Sequence, residues 1–96
     1  MILEVITPDQ ILFKGNVTHV VLPGLDGSFG VLSNHAPMIS ALTEGEMKVD
    51  QIVAENKGDE FFGKYNDEHK NDASFTFTIK GGIIEVKDDK IMVLAE

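Results

Sequence analysis

Ninety-six residues, 43% hydrophobic and 25% charged, describe one globular domain and exclude both a disordered chain and a fibre. Sixteen acids face eight bases, every base is a lysine, and the formal charge is −8. An acidic chain without arginine does not wrap a nucleic-acid backbone, and it lacks the planar fork that clamps phosphate or carboxylate.

The opening run Met1-Ile2-Leu3-Glu4-Val5-Ile6-Thr7-Pro8 has no basic leader and carries Glu4 inside its apolar stretch, so it does not read as a secretory signal. No apolar run approaches the ~20 residues that span a bilayer. The expectation is a soluble protein inside the cell, able to sit on a membrane complex.

Helical periodicity is almost absent, while short runs rich in Val, Ile, Phe and Thr recur between turn residues. Ile2–Thr7 reads as the first strand, broken by Pro8-Asp9. Gln10–Lys14 is the second, closed by Gly15-Asn16, and Val17–Leu22 is the third, ended by Pro23-Gly24. A turn at Gly24-Leu25-Asp26-Gly27 leads to Ser28–Leu32, then to the irregular Ser33-Asn34-His35-Ala36-Pro37. Met38–Leu42 and Met47–Val53 follow, divided by Glu44-Gly45. In Ser74–Lys80 the alternation is clearest, with Phe75, Phe77 and Ile79 on one side and Ser74, Thr76, Thr78 and Lys80 on the other. Gly81-Gly82 and Asp88-Asp89 then set off Ile83–Lys87 and Lys90–Ala95. Short strands at this spacing predict an all-β chain, a flattened antiparallel β-sandwich of about 8–10 strands in a single domain over residues 1–96.

Several strands are apolar on both faces. Val17, His19 and Val21 oppose Thr18, Val20 and Leu22; Ile83 opposes Ile84 and Val86; Ile91 and Val93 oppose Met92 and Leu94. A sandwich strand needs one apolar face, so the surplus goes either to a crowded core or to a docking surface. The crowded core is favoured. Residues 54–73 form the odd segment, rich in acids and lysines around Phe61, Phe62 and Tyr65, and read as an inserted hairpin or loop with its aromatics folded back.

No arrangement for catalysis or cofactor binding emerges. His19, His35 and His69 are far apart and none has a second ligand at metal spacing. With no cysteine, thiolate chemistry and cysteine-ligated metals are absent. Gly24, Gly27 and Gly30 match neither the dinucleotide fingerprint nor the phosphate loop, and turn geometry accounts for them. No serine lies in a nucleophile elbow. A hydrolase would need His35 to work with an acid such as Asp26. The residues point to no enzyme, no cofactor, no metal and no small-molecule substrate.

Motifs in order carry a resemblance. Thr7-Pro8, followed by Phe13-Lys14-Gly15, looks like the start of the epsilon subunit of F-type ATP synthases. The segment from Val20 to Met38, with Pro23-Gly24-Leu25-Asp26-Gly27-Ser28 and then His35-Ala36-Pro37, resembles that family's hallmark. Gly81-Gly82-Ile83-Ile84-Glu85-Val86 and Val93-Leu94-Ala95-Glu96 resemble its closing strands.

This resemblance implies a non-catalytic rotor subunit that grips the gamma shaft and rests on the c-subunit ring, coupling proton flow to ATP synthesis performed elsewhere. It implies a peripheral position at the cytoplasmic face of a bacterial inner membrane, reached only through the complex. On the same basis Thr7, His35 and Ser40 are expected on the side facing gamma, and Asp26, Gly27 and Ser28 against the c ring.

Three features depart from the family pattern. Ser28 stands where many relatives carry an acid. Ser33-Asn34 replaces Pro-Gly before the histidine, where asparagine tolerates the left-handed backbone that glycine would use. The insertion is longer than the usual hairpin. The family's long form continues into a two-helix hairpin, and this sequence, ending at Glu96 with no helical pattern, is expected to be naturally short. The alternative reading from another class is a β-sandwich ligand-binding module, for carbohydrate for instance. The absence of tryptophan and the single tyrosine, Tyr65, weigh against it.

Overall fold

The computed structural model describes residues 1–56 and 71–96. Among these, eight strands and one short 3-10 turn make the fold: β1 Ile2–Ile6, β2 Ile11–Gly24, β3 Gly27–Leu32, β4 Met38–Leu42, β5 Gly45–Gln51, the 3-10 turn Val53–Glu55, β6 Ser74–Ile79, β7 Gly82–Lys87 and β8 Lys90–Ala95. The chain is all-β, as the recurring turn residues require. The inserted segment with Phe61, Phe62, Tyr65 and His69 lies almost wholly outside the described residues.

One boundary is corrected. Gly15-Asn16 does not end a strand; β2 runs through it without a break for 14 residues. Gly15 marks a close approach, because a Cβ there would lie 2.8 Å from the Asn56 amide nitrogen. The first half of β2 pairs with β1, and its second half pairs with β5 on one side and β3 on the other. A single strand therefore serves both layers. One layer reads β4-β7-β8-β1-β2 and the other β3-β2-β5-β6. The layers meet again at a corner, where Gly24 pairs with Leu42. Every ladder is antiparallel except β1–β8, which joins the two ends of the chain in parallel.

A second correction concerns facing. Simple alternation groups Val17 with His19 and Val21, yet Val17, Val20 and Leu22 are the fully buried ones. The register against β5 shifts between Val17 and His19, so Thr18 is the extra residue of a bulge. A bulge reverses the alternation beyond it, which sends Val17 inward together with Val20 and Leu22.

The core is one cluster between the layers, with Leu3, Val5, Phe13, Met47, Val49, Ile84, Ile91 and Val93 fully removed from solvent. The rings of Phe13 on β2 and Phe75 on β6 lie 5.5 Å apart across the layers. Phe75 in turn stacks beside Phe77 at 6.1 Å on the same strand face. Phe75, Phe77 and Ile79 point inward as their spacing predicts. Each such ring contributes roughly 1.5–3 kcal/mol by leaving water.

Candidate functional site

Cross-strand partners share a face, so the register of a sheet gives the layout of its surface. On the outer side of the β4-β7-β8-β1-β2 layer, one row across five strands reads Ala41, Ile83, Leu94, Ile6, Ile11. All five are apolar. The next row reads Ile39, Glu85, Met92, Glu4, Lys14. Ile39, Ile83 and Leu94 expose 73%, 50% and 52% of their surface. The third row brings Lys87, Lys90 and Ile2, and Lys90 Nζ lies 3.9 Å from Glu4 Oε2.

The opposite outer face is mostly polar, with Leu32 exposed on it. Its rows read Leu32, His19, Asp50, Ser74 and Gly30, Val21, Lys48, Thr76, with Glu46 beside Thr78. His19 Nδ1 sits 3.4 Å from Asp50 Oδ2. The apolar surplus of β4, β7 and β8 thus lies on one surface and not in a crowded core, which corrects the expectation drawn from the sequence. An exposed aliphatic row of this kind is the feature of the surface that calls for an explanation.

A second feature is the β2–β3 hairpin. Leu25 and Asp26 both keep negative φ, and Gly27 takes the positive one at 117°. The β2–β3 register runs without a shift to Gly24–Gly27, leaving Leu25 and Asp26 as a two-residue loop in which only the glycine that follows takes a positive φ. The tip is exposed, with Leu25 at 68%. Gly24, Leu25, Asp26, Gly27, Ser28, Phe29 and Ser40 together line one depression.

A third feature fixes the loop between β3 and β4. Asn34 adopts φ 65°, and its N–H donates to Asp89 Oδ1 at 3.0 Å. Asp88 and Asp89 both have positive φ, at 52° and 59°, making a two-residue turn between β7 and β8. The hydrogen bond from Asn34, and after it the Met1 ammonium 3.5 Å away, hold the Asp89 carboxyl below its ordinary pKa. The loop that carries His35 is tied to the far hairpin by this one carboxylate. His35 Nδ1 lies 2.7 Å from its neighbour's carbonyl, Ala36 O, and Nδ1–H is the donor of that contact.

The residues singled out from the sequence fall into distinct places. Thr7 follows β1 and borders a depression with Ile6, Pro8, Leu94 and Ala95, at one end of the apolar face. His35 is exposed in the loop before Pro37, which borders the other end with Met38, Ile39 and Glu85. Ser40 joins neither group; it faces the opposite side of β4 from Ile39 and Ala41 and lies with Asp26, Gly27 and Ser28. The ring of His35 makes no hydrogen bond to Asp26 among the described residues. No three His, Asp or Glu side chains gather into a metal cluster among them either.

Residues 1–63 match the family model of the ATP synthase, Delta/Epsilon chain, beta-sandwich domain. The chain belongs to this family. It is 34% identical to the ATP synthase epsilon chain of Desulforamulus reducens over 94 residues, covering 98% of this chain and 57% of that one. With the epsilon chain of Pelotomaculum thermopropionicum the identity is 37% over 93 residues, covering 97% of this chain and 55% of the relative. The chain spans little more than half the length of these two relatives. The epsilon chain of Chlorobium limicola, 32% identical over 94 residues, is covered to 86%.

Among solved structures, a chain of the Euglena gracilis mitochondrial ATP synthase (the OSCP, F1 and c-ring assembly) superposes with TM-score 0.73 at 18% identity. It is covered to 49%, and 99% of this chain is matched. A chain from the Tetrahymena thermophila central stalk and c ring gives 0.68 at 15% identity, with 99% of this chain and 62% of that one covered. Both likenesses establish the fold.

The exposed residues of this face that the sequence did not single out as a site are Ile39, Ile83, Leu94 and Glu85. Their signal was present in the two-faced apolar strands Ile83–Lys87 and Lys90–Ala95. Only the register shows that the outward members line up in one row.

Proposed function

We propose that this epsilon-family chain is a non-catalytic rotor subunit of a proton-translocating F-type ATP synthase. Its β4-β7-β8-β1 face docks on the gamma shaft and its β2–β3 hairpin meets the c ring. The observation that carries the reading is the continuous aliphatic row Ala41, Ile83, Leu94, Ile6, Ile11 on one side of the sandwich. Permanent joints between subunits bury apolar surface of this kind. Thr7 borders the row, His35 lies two residues before Pro37 at the other end of the face, and both belong to the gamma contact. Ser40 sits at the corner between that face and the hairpin. Asp26, Gly27 and Ser28 present the exposed polar tip to the ring. Through these contacts the chain passes torque from proton flow to ATP chemistry performed on other subunits. It is peripheral, at the cytoplasmic face of a bacterial inner membrane, held there by the complex.

A carbohydrate-binding sandwich would offer open aromatic rings for stacking. Among the described residues Phe13, Phe75 and Phe77 are buried and Phe29 is half-buried. The aliphatic face suits a protein partner better than a sugar.

Co-purification tests the reading. Tagged protein expressed with the other subunits should bring down gamma together with the catalytic subunits, and Ile83→Lys should lose them. Recovery of the tagged chain alone, with gamma present and free, overturns it.

A further inference from the structure

We infer that Glu85 is the charge that orients the docked partner, and that the gamma surface covering this face places a lysine or arginine against it. The inference rests on the docking reading above. Glu85 stands in the middle of β7 with Ile39 opposite it on β4 and Met92 opposite it on β8. Along its own strand Ile83 precedes it on the same face. Two depressions flank the Ile39 side chain, one lined by Pro37, Met38, Val86 and Lys87 and the other by Ile83, Met92 and Leu94; Glu85 borders both.

The other carboxylate of this row, Glu4, already has Lys90 at 3.9 Å. Glu85 forms no ion pair among the described residues, although Lys87 lies two positions along the strand on the same face. An exposed carboxylate among aliphatic side chains is harmless while water reaches it. Once a partner covers Ile39, Ile83 and Met92, that water is displaced, and an unpaired charge becomes strongly unfavourable. A partner that binds this face must therefore supply a cation at this point. An aliphatic row alone tolerates sliding and rotation of whatever lies on it, and one off-centre charge pair removes that freedom. The surface thus selects a partner that is aliphatic, with one basic side chain opposite Glu85.

The test is titration of the full chain against the cognate gamma subunit, for wild type, Glu85→Gln, Glu85→Lys and Ile83→Lys, at several salt concentrations. Melting curves confirm that each variant is folded. The expected result is a roughly tenfold loss for Glu85→Gln with a flattened salt dependence, and a roughly hundredfold loss for Glu85→Lys. If Ile83→Lys abolishes binding while Glu85→Gln matches wild type at every salt concentration, the cation contact is wrong and the docking face stands. If Ile83→Lys and Glu85→Lys both bind as wild type does, the face is not the interface and both readings fall.

Discussion

Asn56 pairs with the backbone of Asn16 as though it were a neighbouring strand. Its Oδ1 accepts the Asn16 N–H at 2.6 Å and its Nδ2 donates to the Asn16 carbonyl at 2.9 Å, across 40 residues of sequence. The same Nδ2 reaches Gln51 Oε1 at 3.0 Å, and Gln51 Nε2 donates to the Asp72 carbonyl at 2.7 Å. A buried amide thus serves the backbone of β2 where β1 stops pairing with it, and through Gln51 the network continues to Asp72.

The first expectation follows directly. Asn56→Ala removes the partner of the Asn16 N–H, while the Asn16 carbonyl keeps the Ile52 N–H at 3.0 Å, and should destabilise the domain by about 1–3 kcal/mol. Gly15→Ala should disturb the same spot by pushing a methyl to 2.8 Å from the amide nitrogen. Urea unfolding of each variant measures the loss. Curves that coincide with wild type would mean that the side-chain pairing contributes nothing.

This network also shows why some of the molecule was legible in the sequence and some was not. Turn chemistry is local, so Gly81-Gly82, Asp88-Asp89 and Asp26-Gly27 announced their hairpins, and Asn34 does adopt the left-handed backbone expected of it. Alternation is local too, and Phe75, Phe77 and Ile79 all face the core. A bulge inserts one residue without a composition mark, so the reversal at Thr18 was invisible. Asn56 stands in a charged stretch that gives no hint of a partner on β2. Strand pairing lies further out of reach: that β4, β7, β8 and β1 lie side by side, which makes the aliphatic row, follows from long-range register and not from any local pattern. The grouping of Ser40 with the hairpin was hidden for the same reason.

Asp89 gives the second expectation, in pH. Its folded carboxyl is held below the ordinary value, first by the Asn34 N–H and then by the Met1 ammonium. A depressed acid stabilises the fold above its unfolded pKa, and that contribution fades as pH falls through the folded value. Asp89→Asn keeps an acceptor for Asn34 but removes the charge. The melting temperatures of wild type and Asp89→Asn should therefore differ by a constant amount from pH 5 to 8 and converge below about pH 4. The Asn34 amide resonance should titrate with the same midpoint. A gap that persists unchanged into acid would assign the effect to packing.

The third expectation contrasts two apolar side chains. Phe77 is 6% exposed and packs beside Phe75, so Phe77→Ala should lose about 3–5 kcal/mol. Ile83 is half exposed on the outer face, so Ile83→Lys should change stability by less than about 0.5 kcal/mol while losing the partner. Denaturant titration of the isolated chain, set beside pull-down of gamma, separates folding from docking. Equal destabilisation by both would mean that Ile83 is part of the core.

The hairpin gives the last expectation. Leu25 and Asp26 are exposed at its tip, whereas the φ of 117° at Gly27 sets the turn itself. Asp26→Lys should therefore leave the melting temperature unchanged and weaken coupling to the ring, read as reduced ATP-driven proton pumping in reconstituted vesicles at equal ATPase activity. Gly27→Ala should lower stability as well, by about 1 kcal/mol or more, because a β-carbon is strained at that angle. A pumping loss in Gly27→Ala but not in Asp26→Lys would show that the turn matters only through its shape. Full pumping in Asp26→Lys, with the complex assembled, would remove its carboxylate from the ring contact.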